Sequence, residues 1–527
     1  KQIAHLNLQI GAVFPRQPMK DASGASQMDA KTQITALHGT SMLDAALLPV
    51  ESNICLSLLR EPGGENERAL VNAAVGAEIN LFGTPALLAA QAAREGGNAP
   101  NTVLAAACSI VGPRYADGAR QVVRALVDRF SAAGLRSAVD EEFDLSLVDF
   151  DGLGGKLLVS DEPDAWADAL LKGLQTRGAI SVFVRYLRTL NGYPTADAVL
   201  AAVVTTLAWD SLMRKRISLT TAETLPWWLR LFGVLIGASA DAARHEEKDF
   251  CGIPNEEIAG SRTLSEVAFA ALTGTQPDPD NLFAFQTLIG LLLSNGPGTI
   301  SAQGAKGAVS ADGPETPERV QLNKALTGFL THSGYAHGGN GYEGIAFLIE
   351  QFQDAELTDP SDPDHGIDLS ELARRFATEY ASYKADKKTA GSLDIRKIPG
   401  VNHPVFKDNP VNQDPREAFV RDFFDRRGEY NIFHAYYHEL VKALYETGVS
   451  RNVYCVNIDA VIAALLLKML WQPYQDGTLT KEALETSAFT IFLYARMLGC
   501  AAEIDDHLNR GRNMDTRTAA SKCQFVS

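Results

Sequence analysis

Cysteine is scarce in this chain and widely scattered. Its 527 residues hold six (Cys55, Cys108, Cys251, Cys455, Cys500 and Cys523) with no CxxC pair among them. That spacing excludes a disulfide scaffold, and buried free thiols in a reducing compartment are expected instead. Positive charge is in deficit too: 48 Lys and Arg stand against 64 Asp and Glu, a formal net charge of −16. A general nucleic-acid or anionic-membrane binder needs a basic face to neutralise phosphate, so neither partner is expected. A local basic pocket for an anionic metabolite remains compatible with that balance. No stretch reaches the ~18 consecutive apolar residues of a spanning helix. The longest candidate, Val453–Trp471, is interrupted by Asn457, Asp459 and Lys468. The opening Lys1-Gln2-Ile3-Ala4-His5 lacks the charged-then-apolar layout of a secretory leader, and a cytosolic enzyme is expected.

What is present is ordinary globular composition, 46% apolar and 21% charged, in a length that suggests two to four domain-sized units. The pattern is all-α. Apolar residues at i, i+3 and i+4 predict helices over Leu104–Ala133, Asp164–Leu174, Thr195–Arg214 and Leu225–Arg244. In the second half they predict Asn281–Leu293, Val320–Leu330, Tyr342–Phe352, Asp368–Tyr383, Pro415–Phe424, Ile432–Thr447, Ile458–Leu470 and Lys481–Leu508. Strand-like alternation is short, at Asn452–Val456 and near Leu157–Val159. Beyond Asp515 the tail is polar and reads as an arm or a disordered end.

The chain also matches itself. Tyr115-Ala116-Asp117-Gly118 recurs as Tyr335-Ala336-His337-Gly338, an offset of 220 between Asp117 and His337. Asp197-Ala198-Val199 recurs as Asp459-Ala460-Val461, and Gly237 as Gly499, both at an offset of 262. Markers repeated in the same order predict two homologous modules, 1–244 and 245–527. The second is longer by about forty residues, with a smaller helical subdomain at about 355–450.

Chemistry-bearing residues concentrate in the second module. Ser333-Gly334-Tyr335-Ala336-His337-Gly338-Gly339-Asn340 comes first. Pro399-Gly400-Val401-Asn402-His403-Pro404-Val405-Phe406-Lys407 and Asp414-Pro415-Arg416 follow, then Asn457-Ile458-Asp459. In this order the segments resemble the citrate synthase superfamily, and most nearly the citryl-CoA lyase module of ATP-citrate lyase. The resemblance runs from about Phe250 to Arg512, opening on Phe250-Cys251-Gly252-Ile253-Pro254.

The resemblance implies a mostly helical fold, coenzyme A as acyl-CoA substrate, and cleavage of citryl-CoA to acetyl-CoA and a 2-oxo acid such as oxaloacetate, or the reverse condensation. Making or breaking a carbon–carbon bond beside a thioester needs an enol. A base must remove a weakly acidic methyl proton while a donor holds the thioester oxygen. Asp459 matches the family's base, His337 the donor, and His403 the group that polarises the oxo carbonyl and protonates the alkoxide. Arg416 and Arg496 match carboxylate clamps, for which a fork-shaped cation is suited. Arg496 on an otherwise apolar helix face also argues for an anionic partner. Arg396, Lys397, Gly400 and Lys407 are candidates for the CoA phosphates. The resemblance further implies a homo-oligomer, or assembly with a homologous or CoA-ligase subunit.

Three features depart from the family. Asn295 in Ser294-Asn295-Gly296-Pro297 stands where a substrate-binding His is usual, and it can hydrogen-bond a substrate but carries no charge. Pro404 follows His403 where Arg is usual, and the arginine supplied across a dimer interface has no clear match beyond Arg512 or Arg517. The 2-oxo acid therefore need not be oxaloacetate. In the first module Asp117 replaces His337, Val234 replaces Arg496, and the His403–Arg416 segment has no counterpart. Asp197 persists and reads as a helix N-cap. The expectation is a pseudo-dimer with one competent site, or, alternatively, a catalytically altered regulatory or scaffold subunit. His332, His365, His434 and His438 read as structural. No ligand cluster of usual spacing is apparent, so no metal is expected.

Overall fold

Ala- and Leu-rich segments bounded by Thr, Asp, Ser and Asn caps become helices, and helices make up most of the chain. The computed structural model describes residues 24–29, 31–79, 83–148, 155–244, 252–313, 317–392, 394–403 and 412–510. A small antiparallel sheet of β1 (Ser26–Met28), β2 (Thr35–Leu37) and β3 (Thr40–Ser41) comes first. The main helices of the first half are α1 (Val50–Leu59), α2 (Glu65–Ile79), α3 (Pro85–Glu95), α4 (Pro100–Ile110), α5 (Asp117–Ala132), α6 (Ala165–Thr176), α7 (Ala196–Met213) and α8 (Leu219–Ala242). Those of the second are α9 (Leu264–Thr273), α10 (Pro279–Leu292), α11 (Ile300–Asp312), α12 (Leu322–Thr331), α13 (Asn340–Phe352), α14 (Leu369–Thr389), α15 (Pro415–Arg426), α16 (Ile432–Glu446), α17 (Ile458–Gln475) and α18 (Lys481–Arg510).

Capping explains most starts. Thr195, Ser218, Asp278 and Asp368 each accept a backbone N–H from the first turn of the helix that follows. The run expected as one helix over 104–133 is two, because Gly112-Pro113 ends α4 and a 3-10 turn at Pro113–Tyr115 leads into α5. Two other boundaries move outward through a proline: α8 starts at Leu219 and carries Pro226, and α17 runs past Pro473 to Gln475. Tertiary packing on buried faces outweighs the missing N–H there. The expected strand at 452–456 is a single bridge, Val456 to Val401. Leu157 and Leu158 are helical, and only Val159–Ser160 pairs, with Tyr193–Pro194.

Apolar helices, not simply long ones, form the core; α14, with 21 residues, buries only Ala373 and Ala377. α7 and α18 are apolar and long enough to cross a membrane, but 72% and 100% of their most apolar windows are buried within the protein. α5 packs on α7 and α8, and α13 packs on α17 and α18. α3 packs on α4 as α11 packs on α12. Between the halves, α4 meets α12 and α8 meets α18, while α8 meets α9 and α18 meets α1. Gly237 lets α8 approach the carbonyl of Ile79, and Gly499 lets α18 approach that of Leu293. In the second half α14 packs on α16, and α15 on α17. Cys55, Cys108, Cys455 and Cys500 are free and buried. Burial pushes the thiols of Cys108, Cys455 and Cys500 up to about 12, which keeps them un-ionised at neutral pH.

Candidate active site

His337 sits on a tight turn ahead of α13. Its N–H donates to the Gly334 carbonyl (2.8 Å), and its own carbonyl accepts from Gly334 N–H (3.1 Å). Gly338 closes the turn at φ 102°, and a Cβ there would overlap the Phe492 ring. The His337 ring meets Phe492 edge-on at 5.8 Å between centroids. Its Nε2 is 2.9 Å from the Ser301 hydroxyl in the first turn of α11. With Ser301 donating to Nε2, the proton lies on Nδ1, which makes that nitrogen the available donor. Burial, and then the charge of Arg496, hold the imidazole down at about 4, so it is neutral at pH 7.

His403 and Asp459 are brought together by backbone stitching. Gly400 at φ 78° and Asn402 at φ 65° turn the chain alongside 455–457. Asn402 N–H donates to Cys455 O (2.8 Å), Asn457 N–H to Gly400 O (2.9 Å), and Asn457 Nδ2 to Asn402 O (2.8 Å). Asn457 also caps α17, its Oδ1 accepting from Asp459 N–H at 2.9 Å. Asp459 therefore lies in the first turn of α17. Asp414, fully buried, accepts from Ile458 N–H (3.1 Å) and ties the start of α15 to the same place. Burial, then Arg416, pull His403 down to about 4 against the opposing charge of Asp414.

A cavity of about 740 Å³ opens between these segments, and His337, His403 and Asp459 all line it. So do Asn295, Arg416, Lys397 and Gly400. Tyr380 and Lys384 of α14 form part of its outer wall. From the first half, Met28, Ile34, Thr35 and Leu43 close another side. The sheet that carries Met28 and Thr35 is held by Thr35 Oγ1 on Ser294 O (2.7 Å) and by Gly24 N–H on Asp506 (2.6 Å).

No protein-family model matches the chain, and no curated protein does. Among solved structures it is similar to citrate synthase from Thermoplasma acidophilum, solved as a ternary complex with carboxymethyl coenzyme A and oxaloacetate. That match has 14% identity over 95% of this chain and 93% of that one, with a TM-score of 0.49. Citrate synthase from Pyrobaculum aerophilum gives 14% over 98% and 93%, TM-score 0.46. Citryl-CoA lyase from Hydrogenobacter thermophilus gives 17% over 53% of this chain and 89% of that one, TM-score 0.38. At these values no residue role passes from those proteins to this chain.

Some expected site residues lie elsewhere or are already engaged. Arg496 is fully buried and outside the cavity lining; its anionic partner is internal, Glu503 at 3.2 Å, and Nη1 donates to Leu293 O at 2.7 Å. Arg416 lines the cavity, but its fork grips Asp414 (Nε–Oδ1 3.0 Å, Nη2–Oδ2 2.8 Å), and Nη1 donates to Asn295 (3.0 Å). Arg396 faces outward onto Glu350. Lys407, Pro404, Phe250, Cys251, Arg512 and Arg517 lie outside the described residues, as does the tail beyond Asp515. In the first half Thr195, not Asp197, is the N-cap, and Asp197 pairs with Arg230 at 3.3 Å.

Other functional residues went unread in the sequence. Ser301 carries no motif and is found only by its contact with His337. The β1–β3 sheet is too short for alternation to show. The expectation of no metal-ligand cluster also needs correcting, since Glu417, His434 and His438 offer ligand atoms within 4.8 Å of one another. Their signal was the i, i+4 spacing of His434 and His438, which puts both rings on one helix face. Glu417 comes from the preceding helix, and no spacing rule joins it to them.

Proposed function

We propose that the protein makes or breaks a carbon–carbon bond next to a CoA thioester, acting on citryl-CoA or a related acyl-CoA with a 2-oxo acid as partner. Asp459 takes the methyl proton, His337 holds the thioester oxygen, and the enol carbon attacks the oxo carbonyl. His403 polarises that carbonyl and protonates the alkoxide as it forms; in cleavage it takes the proton back. The observation that carries this reading is the meeting of two neutral imidazoles and one helix-start carboxylate in a single cavity, from segments more than fifty residues apart. Lys397 and Lys384 line the outer part and suit a CoA phosphate.

We read the chain further as two fused homologous modules, the first degenerate. The support is the matched packing of α5, α7 and α8 against that of α13, α17 and α18, and the reciprocal contacts between halves. On this reading the first half supplies the β1–β3 wall of the cavity.

The test is to incubate the protein with acetyl-CoA plus oxaloacetate, then with monocarboxylic 2-oxo acids, and separately with citryl-CoA, following the thioester by mass. Formation or cleavage of the hydroxyacyl-CoA is expected in one arm. A second reading, a regulatory or scaffold subunit, is favoured by one observation: the forks of Arg416 and Arg496 are held by Asp414 and Glu503, leaving neither free to clamp a carboxylate. It expects CoA esters to bind without conversion in any arm, and that result overturns the enzymatic proposal.

A further inference from the structure

Away from the cavity lining, α15 and α16 bring three ligating side chains together. His434 and His438 project from one face of α16, one turn apart, and their rings stand 5.0 Å apart at 76°. Glu417, in the first turn of α15, points one oxygen at both. His434 Nε2 lies 3.1 Å from Glu417 Oε1, and His438 Nε2 lies 2.9 Å from the same atom. The other carboxylate oxygen is held by Arg421 Nη1 at 3.4 Å. From the structure we infer that Glu417, His434 and His438 bind one divalent transition-metal ion of the zinc and cobalt class.

The geometry suits it. An ion about 2.0–2.2 Å from imidazole nitrogen and carboxylate oxygen needs ligand atoms a little over 3 Å apart; both nitrogens sit near that distance from Glu417 Oε1, and all three atoms lie within 4.8 Å of one another. Arg421 keeps Oε2 engaged, so Glu417 offers a single oxygen. Two nitrogens and one oxygen suit zinc, cobalt or nickel, whereas magnesium and calcium favour all-oxygen sites. Binding requires each Nε2 to give up its hydrogen bond to Glu417 and present a lone pair to the ion. The side chain of Glu417 is 3% exposed and that of His438 34%, so the ion has an anchored inner side and an open outer one, with room for water. The site is distinct from the proposed chemistry but joined to it. Arg416 precedes Glu417 in α15, and its partner Asp414 holds the start of α17. An ion here would fasten α15 to α16 and steady that end of the cavity.

The test uses the full chain, stripped with chelator and titrated with Co²⁺ while its visible spectrum and thermal midpoint are followed. One Co²⁺ per chain is expected, with the intense bands of a four- or five-coordinate ion, displaced by Zn²⁺ and indifferent to Mg²⁺. His438→Gln, at the most exposed ligand, should weaken binding at least about tenfold while leaving the metal-free midpoint within a few degrees. His332→Gln, at an exposed histidine elsewhere, should change nothing. Weak binding shared among histidines, or a Co²⁺ spectrum and affinity unaltered by His438→Gln, overturns the site and leaves a hydrogen-bonded triad.

Discussion

Asp197 and Asp459 occupy the same place in two similar settings, the first turn of a long apolar helix, with a Gly-containing turn nearby. Around Asp197 the charge is matched: Arg230 reaches it at 3.3 Å and extends to Glu78 at 3.1 Å. Gly118 is pressed so close that a Cβ there would strike the Asp197 carboxylate. Around Asp459 the space is a cavity, which His337 lines as well. A helix-start carboxylate is thus no sign of chemistry in itself. What separates the two regions is the setting: Asp459 lines a cavity together with His337 and His403, whereas Asp197 faces Arg230 and Gly118.

The sharpest way to break this comparison is to neutralise each carboxylate in turn. Asp459→Asn removes the proposed base and should lower turnover by about 10²–10⁴-fold, with CoA-ester affinity largely kept. Asp197→Asn should leave turnover unchanged and cost no more than about 1 kcal/mol of stability, as expected for a part-exposed ion pair. Equal kinetic effects of the two substitutions would erase the distinction between the regions.

The two long helices α8 and α18 differ in the same spirit. α18 buries Arg496 against Glu503, both fully out of solvent. On α8 Val234 is buried, and Asp241 reaches Arg94 on α3 at 3.6 Å. Arg496→Met strands Glu503 in the core and should cost about 3–5 kcal/mol, measured by chemical denaturation. Adding Glu503→Leu should recover most of that loss, because an apolar pair needs no partner. If the double variant is as unstable as the single, the ion pair is not what holds α18 in place.

How much of this was legible depended on range. Helix content and the ordered His337, His403 and Asp459 segments lie within local reach of the sequence, whereas Asp197 reads as the cap of α7 and the cap lies at Thr195. The break at Gly112-Pro113 was legible as well, but Ala-rich periodicity on both sides hid it. Three-dimensional pairings were not legible. A buried Arg needs an anion, and sequence could say so, but not that Glu503, two turns along the same helix, would supply it. Arg416 read as a free clamp because nothing local shows that Asp414, two residues before it, turns its carboxylate back onto the guanidinium. Ser301 reaches His337 across 36 residues and the β1–β3 wall is held across hundreds, both beyond any spacing rule.

The smallest expected effect concerns acid. His337 and His403 have folded-state pKa values held down to about 4, against an ordinary 6.5, and His38 in the β2–β3 turn is held to about 4 by burial and Arg60. Between those limits the unfolded chain takes up protons that the folded chain refuses. Stability is therefore fully present above about pH 6.5, falls as pH drops through the window, and stops falling from this cause near pH 4. Among the described residues of the first half, His38 is the one imidazole, and it lies outside the cavity lining. A His337→Asn, His403→Asn double variant should thus lose less stability between pH 7 and pH 5 than the parent, while His38→Asn removes only its own share. By the same cause turnover should persist on the acid side to well below pH 6.5, because both cavity imidazoles stay neutral there. An acid limb at the ordinary histidine value, or a double variant with the parent's full pH slope, would mean that these rings are charged and solvated in the folded protein, and that the contrast between the two halves is not one of desolvation.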